Sequence, residues 1–286
     1  MEQIAFVTRW FALALLIAAT VLYGYQFLMR RNQLAWWARF TTGAGTIMLT
    51  ASIGLNMSVI ARSGEIGRTV LTGPNSTLVL LAWALLVLYF VLEHFIKVKI
   101  YGAVLVPTAV LLLVIAGFLS GATPRGLSPE EIELLDSWRV GIHVALIIFA
   151  NAGFAIGGAA SALYLVLDRQ LKRHKTSPFL RRLPSLAQTQ SLARRAIVLA
   201  FPAYTAGMAL GTIRAIETDV SGWYFDARVM LSGIVWLVFA VYLVRVYRHG
   251  VSGRTASWIA LIGLLFVVLL AVLARTLPVG FHVFAL

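Results

Sequence analysis

An all-α integral membrane protein, a bundle of eight transmembrane helices with both termini outside, is the fold class that this sequence predicts. Three observations lead there. Of the 286 residues, 60% are hydrophobic and 12% are charged, whereas soluble domains run near 45–50% apolar and about 25% charged. The apolar residues gather into eight runs near the length of about 20 residues that a helix needs to cross a bilayer. The segments between those runs alternate between basic and acidic character. The first observation excludes a soluble globular enzyme and a disordered chain, and the absence of cysteine excludes a disulfide scaffold and thiolate metal sites.

The eight runs are Ala5–Met29, Thr41–Ile60, Thr77–Ile96, Tyr101–Leu119, Trp138–Leu167, Ala196–Ile213, Val229–Tyr247 and Ala256–Leu277. None alternates with period two over ten residues, so a β-barrel is not expected. The first is not a cleavable signal. Its apolar part exceeds the roughly 7–15 residues of such a segment, Glu2 precedes it, and Arg30-Arg31 stand where a cleavage site would lie. The pairs Gly153-xxx-Gly157 and Gly207-xxx-Gly211 predict close helix packing. Pro107 and Pro202 lie inside the fourth and sixth runs, and Pro202 frees the carbonyl of Val198. With no strict internal repeat, residues 1–286 read as one transmembrane domain, with helices 1–4 over about 5–119 and a second half over 138–286.

Charge sets the expected orientation. Alternate loops carry 16 of the 24 basic residues: Arg30, Arg31 and Arg39; Lys97 and Lys99; Arg169, Lys172, Arg173, Lys175, Arg181, Arg182, Arg194 and Arg195; Arg245, Arg248 and Arg254. The other side holds 9 of the 11 acidic residues, among them Glu130, Glu131, Glu133, Asp136, Glu217, Asp219 and Asp226. The basic loops therefore face the cytoplasm. The net charge of +13 reads mainly as positive-inside bias rather than as a nucleic-acid footprint. The 28-residue segment Asp168–Arg195 is the only sizeable cytoplasmic loop expected, basic and lipid-facing.

Nucleotide-binding, zinc-protease and serine-hydrolase motifs are all absent from the chain. Glu93-His94 has no second histidine at helical spacing, and Glu93 is read as a solvated interfacial residue near Lys97. His174 and His249 fall in basic loops. His143 and His282 differ. His143 sits in the first turns of the fifth helix, and His282 follows the eighth in Leu277-Pro-Val-Gly-Phe-His282, so topology places both at one outer depth. Neutral imidazoles can fill both axial positions of a haem iron; two unrelated interfacial histidines are the alternative.

The outer rim carries Arg62, Arg68, Arg139, Arg214, Arg228 and Arg275 and no lysine. Arginine forks suit the two haem propionates, and ion pairs with Glu217, Asp219 or Asp226 are the rival use. Trp223, Tyr224 and Phe225, between the sixth and seventh helices, form either an aromatic belt or a flat platform for a macrocycle. Asn151, eight residues after His143 and deeper, either bonds a neighbouring helix or lines a pocket.

From His143 onward the sequence resembles the cytochrome c assembly family of membrane proteins, the CcsA/CcmC/HemX group. His143-Val-Ala-Leu through Ala162-Leu-Tyr-Leu-Val-Leu-Asp-Arg-Gln-Leu-Lys172 is similar to the family's His-bearing helix and its basic exit. Leu183-Pro-Ser-Leu, Phe201-Pro, Gly207 and Gly211 resemble the next segment. Trp236-Leu-Val-Phe-Ala-Val-Tyr242, Ser252-Gly-Arg-Thr-Ala256 and Ile262-Gly resemble the helices after the signature loop, and Phe281-His282 resembles the closing histidine. The resemblance implies His143 and His282 as axial ligands of a non-covalent haem b, with Trp223 and Asp226 in the haem-holding loop. That loop departs from the family's Trp-Gly-x-x-Trp-x-Trp-Asp: Phe225 replaces the last Trp, and Asp219-Val220 stand at the leading Trp-Gly. In this it is closer to HemX-like members, which are linked to control of haem biosynthesis.

Two function classes follow. One is a haem-handling factor of cytochrome c biogenesis in the bacterial cytoplasmic membrane. It would bind haem at the outer face and present it to membrane or periplasmic partners, apocytochrome c among them. The other is a non-catalytic regulator or structural subunit. Enzymatic haem-lyase action would require those partners. An electron-transfer cytochrome b and a transporter fit less well, because buried histidine pairs at two depths and intramembrane charges are scarce. Membrane lipid is an expected partner, and nucleic acid is not.

Overall fold

The computed structural model describes residues 2–29, 32–63, 74–96, 101–118, 137–173, 183–219, 222–251 and 253–276. Among them the regular elements are helical throughout, with no strand. Eight α-helices follow one another: α1 Glu2–Met29, α2 Asn32–Ser63, α3 Pro74–Ile96, α4 Gly102–Phe118, α5 Trp138–Lys172, α6 Leu186–Glu217, α7 Ala227–Arg248 and α8 Arg254–Thr276. A short 3-10 helix, Trp223–Phe225, precedes α7. They fall into two compact units, residues 1–137 and 138–286.

Six of these helices, α1, α3, α5, α6, α7 and α8, are long and apolar enough to cross a membrane. The expected count of eight is thus met only in part, for two different reasons. α4 has 17 residues, about a turn short of a full crossing. α2 has 32 residues, but Thr41, Thr42, Thr46, Thr50, Ser52, Asn56 and Ser58 dilute its apolar character. Each of those threonines returns its hydroxyl to a backbone carbonyl of the preceding turn, Thr42 to Ala38 at 2.7 Å and Thr46 to Thr42 at 2.8 Å. The threonine hydroxyls are satisfied within the helix itself.

Helices also run past the apolar segments that announce them. α2 begins nine residues before Thr41, and α6 begins ten before Ala196. The start of α6 is set by a capping box. Ser185 Oγ accepts from Gln188 N at 3.2 Å, and Gln188 Oε1 accepts from Ser185 N at 3.0 Å. Together with the end of α5 at Lys172, this turns most of the long expected cytoplasmic loop into helix. Ser185→Ala is expected to lower stability by about 1 kcal/mol, read as an earlier thermal unfolding of the detergent-solubilised protein.

In the first unit, α1 and α2 run antiparallel: Ser52 donates to the Ala5 carbonyl at 3.0 Å, and a Cβ on Gly45 would touch Leu16 Cγ at 2.9 Å. α3 runs parallel to α1, with Arg9 bonded to Asn75 at 3.4 Å and the Tyr23 and Tyr89 hydroxyls 2.7 Å apart. The core of the second unit is aromatic. Phe154 of α5 stacks on Phe239 of α7 at 3.7 Å and 4°, and Tyr204 of α6 meets Phe154 edge-on at 5.4 Å. Trp236 Nε1 donates to Thr205 Oγ1 at 2.9 Å, joining α7 to α6. α8 closes the unit through glycine contacts, Gly158 against Leu264 and Gly263 against Phe239. The turn into α8 needs Gly253, whose φ is +66° and where a Cβ would lie 2.6 Å from the Tyr164 hydroxyl.

Candidate functional site

α5 and α6 form a continuous antiparallel seam, and it positions the first candidate ligand. Proceeding along it, Arg139 meets Glu217, His143 meets Gly211, Ile147 meets Gly207, and Gly157 meets Ile197. Residues four apart share a helix face, so Gly207 and Gly211 present a notch to His143 and Ile147. A Cβ on Gly211 would fall 2.8 Å from both Cε1 and Nδ1 of the imidazole. The ring therefore lies flush against the α6 backbone, half-buried, and Nδ1–H donates to the Gly207 carbonyl at 2.7 Å. A carbonyl can only accept, so the bond assigns the proton to Nδ1 and the ring lone pair to Nε2. Metal-binding histidines are commonly anchored in this way, with one ring nitrogen bonded to a backbone oxygen.

The arginines of the same end divide. Arg139 Nη1 donates to Glu217 Oε2 at 2.8 Å, with its guanidinium 5.3 Å from the Trp138 ring. Arg214 lies 3.9 Å from the same carboxylate oxygen. Of the three acids offered as rival partners, Glu217 pairs with both Arg139 and Arg214. It sets the spacing of two guanidinium groups from two helices. Arg228 is half-buried in the first turn of α7.

Asp226 is committed locally. Its Oδ1 accepts from the backbone N–H of Arg228 at 2.8 Å and of Val229 at 3.4 Å, capping α7. The cap fixes the 3-10 turn before it, which starts from Gly222 at φ +69°. Within that turn Trp223 is half-buried, while Tyr224 and Phe225 are exposed, Phe225 by 74%. The rings touch in sequence, Trp223 on Tyr224 at 5.8 Å and Tyr224 on Phe225 at 4.7 Å. Asn151 is half-buried, and its Oδ1 is shielded from solvent without a hydrogen-bond partner among the described residues. His282 lies outside the described residues, as do Arg68 and the side chains of Arg62 and Arg275.

In the sequence Gly207 and Gly211 predict close packing and match the family's segment, but nothing there connects them with His143. The available signal was the matched four-residue spacing on two helices that run antiparallel.

The family model described as cytochrome C assembly protein matches residues 75–282. The chain is 26% identical over 261 residues to a cytochrome c biogenesis protein CcsA of Prochlorococcus marinus (strain MIT 9303), covering 82% of each chain. It is 25% identical over 284 residues to the CcsA of Synechococcus sp. (strain CC9605), covering 91% of this chain and 93% of the relative. Protein HemX of Brevibacillus brevis is 29% identical over 174 residues, 60% of this chain and 62% of its own.

Proposed function

The chain is a multi-pass membrane protein of the cytochrome c assembly family, and from that premise we propose that it handles haem in cytochrome c biogenesis. On this reading it binds non-covalent haem b at the outer face and presents or transfers it to a membrane or periplasmic partner, apocytochrome c among the candidates. All eight helices span the cytoplasmic membrane of a bacterium, with both termini outside.

One observation carries the haem reading: the seat of His143, whose Nδ1–H is held by the Gly207 carbonyl at 2.7 Å. That bond orients the ring and raises its basicity at Nε2, the nitrogen offered to iron. An imidazole so held suits a haem iron, and His282 is the proposed second ligand. Bound haem would supply the iron that the imidazoles ligate and two propionates for the basic rim. Arg139 and Arg214, spaced by Glu217, would bind one propionate, with Arg228 and Arg275 serving the other. Trp223 and Phe225 would cover a ring face, Asp226 would hold their turn through its helix cap, and Asn151 would line the deep end. Packed against haem, the exposed rings of Tyr224 and Phe225 would exclude water from that face.

The departures at Phe225 and Asp219-Val220, together with the likeness to HemX, favour a second reading as a non-catalytic regulator of haem biosynthesis or a subunit of a larger complex.

Purification from haem-replete cells tests the first proposal. The reduced protein is expected to show a low-spin b-type spectrum, weakened in His143→Ala and in His282→Ala and lost in the double variant. Protein isolated without haem, or haem that survives loss of both histidines, overturns the assignment. Deleting the gene separates the two roles: loss of holo-cytochrome c supports the assembly factor, while normal cytochrome c with altered porphyrin supports the regulator.

A further inference from the structure

The first unit contains a second polar cluster, remote in sequence from the residues just described. Glu93, read from the sequence as solvated, is buried, and its side chain is only 4% exposed. Its Oε2 lies 3.2 Å from Nε of Arg39 on α2. One turn earlier on α3, Tyr89 shares a 2.7 Å hydrogen bond with Tyr23 of α1. Tyr23 in turn packs against Gly102 at the start of α4, where no Cβ could be accommodated. The carboxylate thus sits among packed side chains at the end of the unit where α1 ends and α2 begins.

Arg39 is different. Its side chain is 52% exposed. A guanidinium is planar, with donors along two edges. The contact is an ion pair rather than a hydrogen bond, since Glu93 Oε2 has no hydrogen-bond partner among the described residues; with Nε the guanidinium nitrogen next to the acid, the Nη1/Nη2 edge remains for another anion. Burying the cation as well would strengthen the attraction but add the cost of its own desolvation. Here the acid is buried and the outer half of the cation is not.

The surroundings fix the depth of that edge. On the same turns of α2, Trp36 and Phe40 stack at 5.5 Å and 9°, and Trp37 meets Trp36 edge-on at 4.8 Å. All three rings are more than half exposed. Exposed tryptophans at the end of a membrane helix mark the boundary between head groups and acyl chains. The anion concentrated at that depth is the phosphodiester of a phospholipid, and an oriented arginine fork matches its two oxygens.

We propose that Arg39, held in orientation by buried Glu93 and flanked by Trp36, Trp37 and Phe40, is a binding site for the head-group phosphate of an anionic phospholipid. Glu93 is the positioning residue. The phosphate docks on the Nη edge, and the aromatic rings cover the glycerol and the first acyl carbons.

Native mass spectrometry of the full chain, titrated in detergent with phosphatidylglycerol, phosphatidylcholine or inorganic phosphate, tests this. Two variants keep the interior balanced: Arg39→Lys retains the charge pair without the planar fork, and Arg39→Gln with Glu93→Gln removes both charges together. Wild type is expected to retain one phosphatidylglycerol more than the double variant and to bind it roughly tenfold more tightly than Arg39→Lys does. Thermal unfolding of each variant in the same detergent reports folding independently. Equal phosphatidylglycerol binding by folded wild type and folded double variant overturns the proposal. Equal binding of phosphatidylcholine by wild type overturns the anionic preference. Stabilisation of wild type by inorganic phosphate as strong as that by phosphatidylglycerol overturns the lipid source and leaves a free-anion site.

Discussion

Gly211→Ala is expected to lower haem affinity 10- to 100-fold without replacing a proposed ligand, the range typical of losing an outer-shell partner. The new Cβ would stand 2.8 Å from Cε1 and Nδ1 of His143, closer than van der Waals contact allows. The imidazole ends a flexible side chain and can swing aside, but doing so breaks its 2.7 Å bond to the Gly207 carbonyl. The ring then loses both its orientation and its fixed tautomer. Gly157→Ala is the matched control. It presses a Cβ to within 2.6 Å of Ile197 Cγ1 on the same seam, about 21 Å along α5 from His143. It should cost stability and leave the reduced spectrum unchanged. Reduced-minus-oxidised spectra with haem titration check both. A wild-type affinity in Gly211→Ala would mean that the seat does not orient the ligand.

Arg39→Gln is expected to destabilise the protein by about 3 kcal/mol, near the low end for breaking a buried pair because the arginine is itself half-exposed. The loss comes from leaving Glu93, with its side chain 4% exposed, without its cation. Adding Glu93→Gln should restore most of that stability, since a neutral amide costs far less to bury than a carboxylate. Denaturant titration of the two single variants and the double variant closes the cycle. Additive losses would show that the pair contributes no coupling.

Helix existence was legible because it is a local property. Each of the eight apolar runs lies within, or nearly coincides with, a helix, since apolar residues and the bilayer length both act along one segment. Helix ends were less legible. Nine residues, six of them polar or aromatic, precede Thr41 in α2 because backbone hydrogen bonds extend a helix whatever its hydropathy. The start of α6, by contrast, was written plainly in Ser185-Leu-Ala-Gln188. The site was legible to a similar depth. The place of His143 near one helix end followed from its run, and Glu217 was already among the acids named for Arg139 and Arg214. That Asp226 would spend its carboxylate on the α7 cap was not foreseen, although an Asp immediately before a helix carries that signal.

Residue order alone thus establishes a helical membrane protein, its family and the helix ends at which histidine and arginine gather, because hydropathy, charge bias and motif spacing are properties of contiguous residues. Tertiary structure decides which polar groups are enclosed and by what. Glu93 is buried because Arg39, 54 positions earlier, reaches it, and His143 is seated because glycines 64 and 68 positions later leave room for its ring. Burial and hydrogen-bond partnership are supplied by neighbouring helices, and no single segment contains the information about which neighbour that will be.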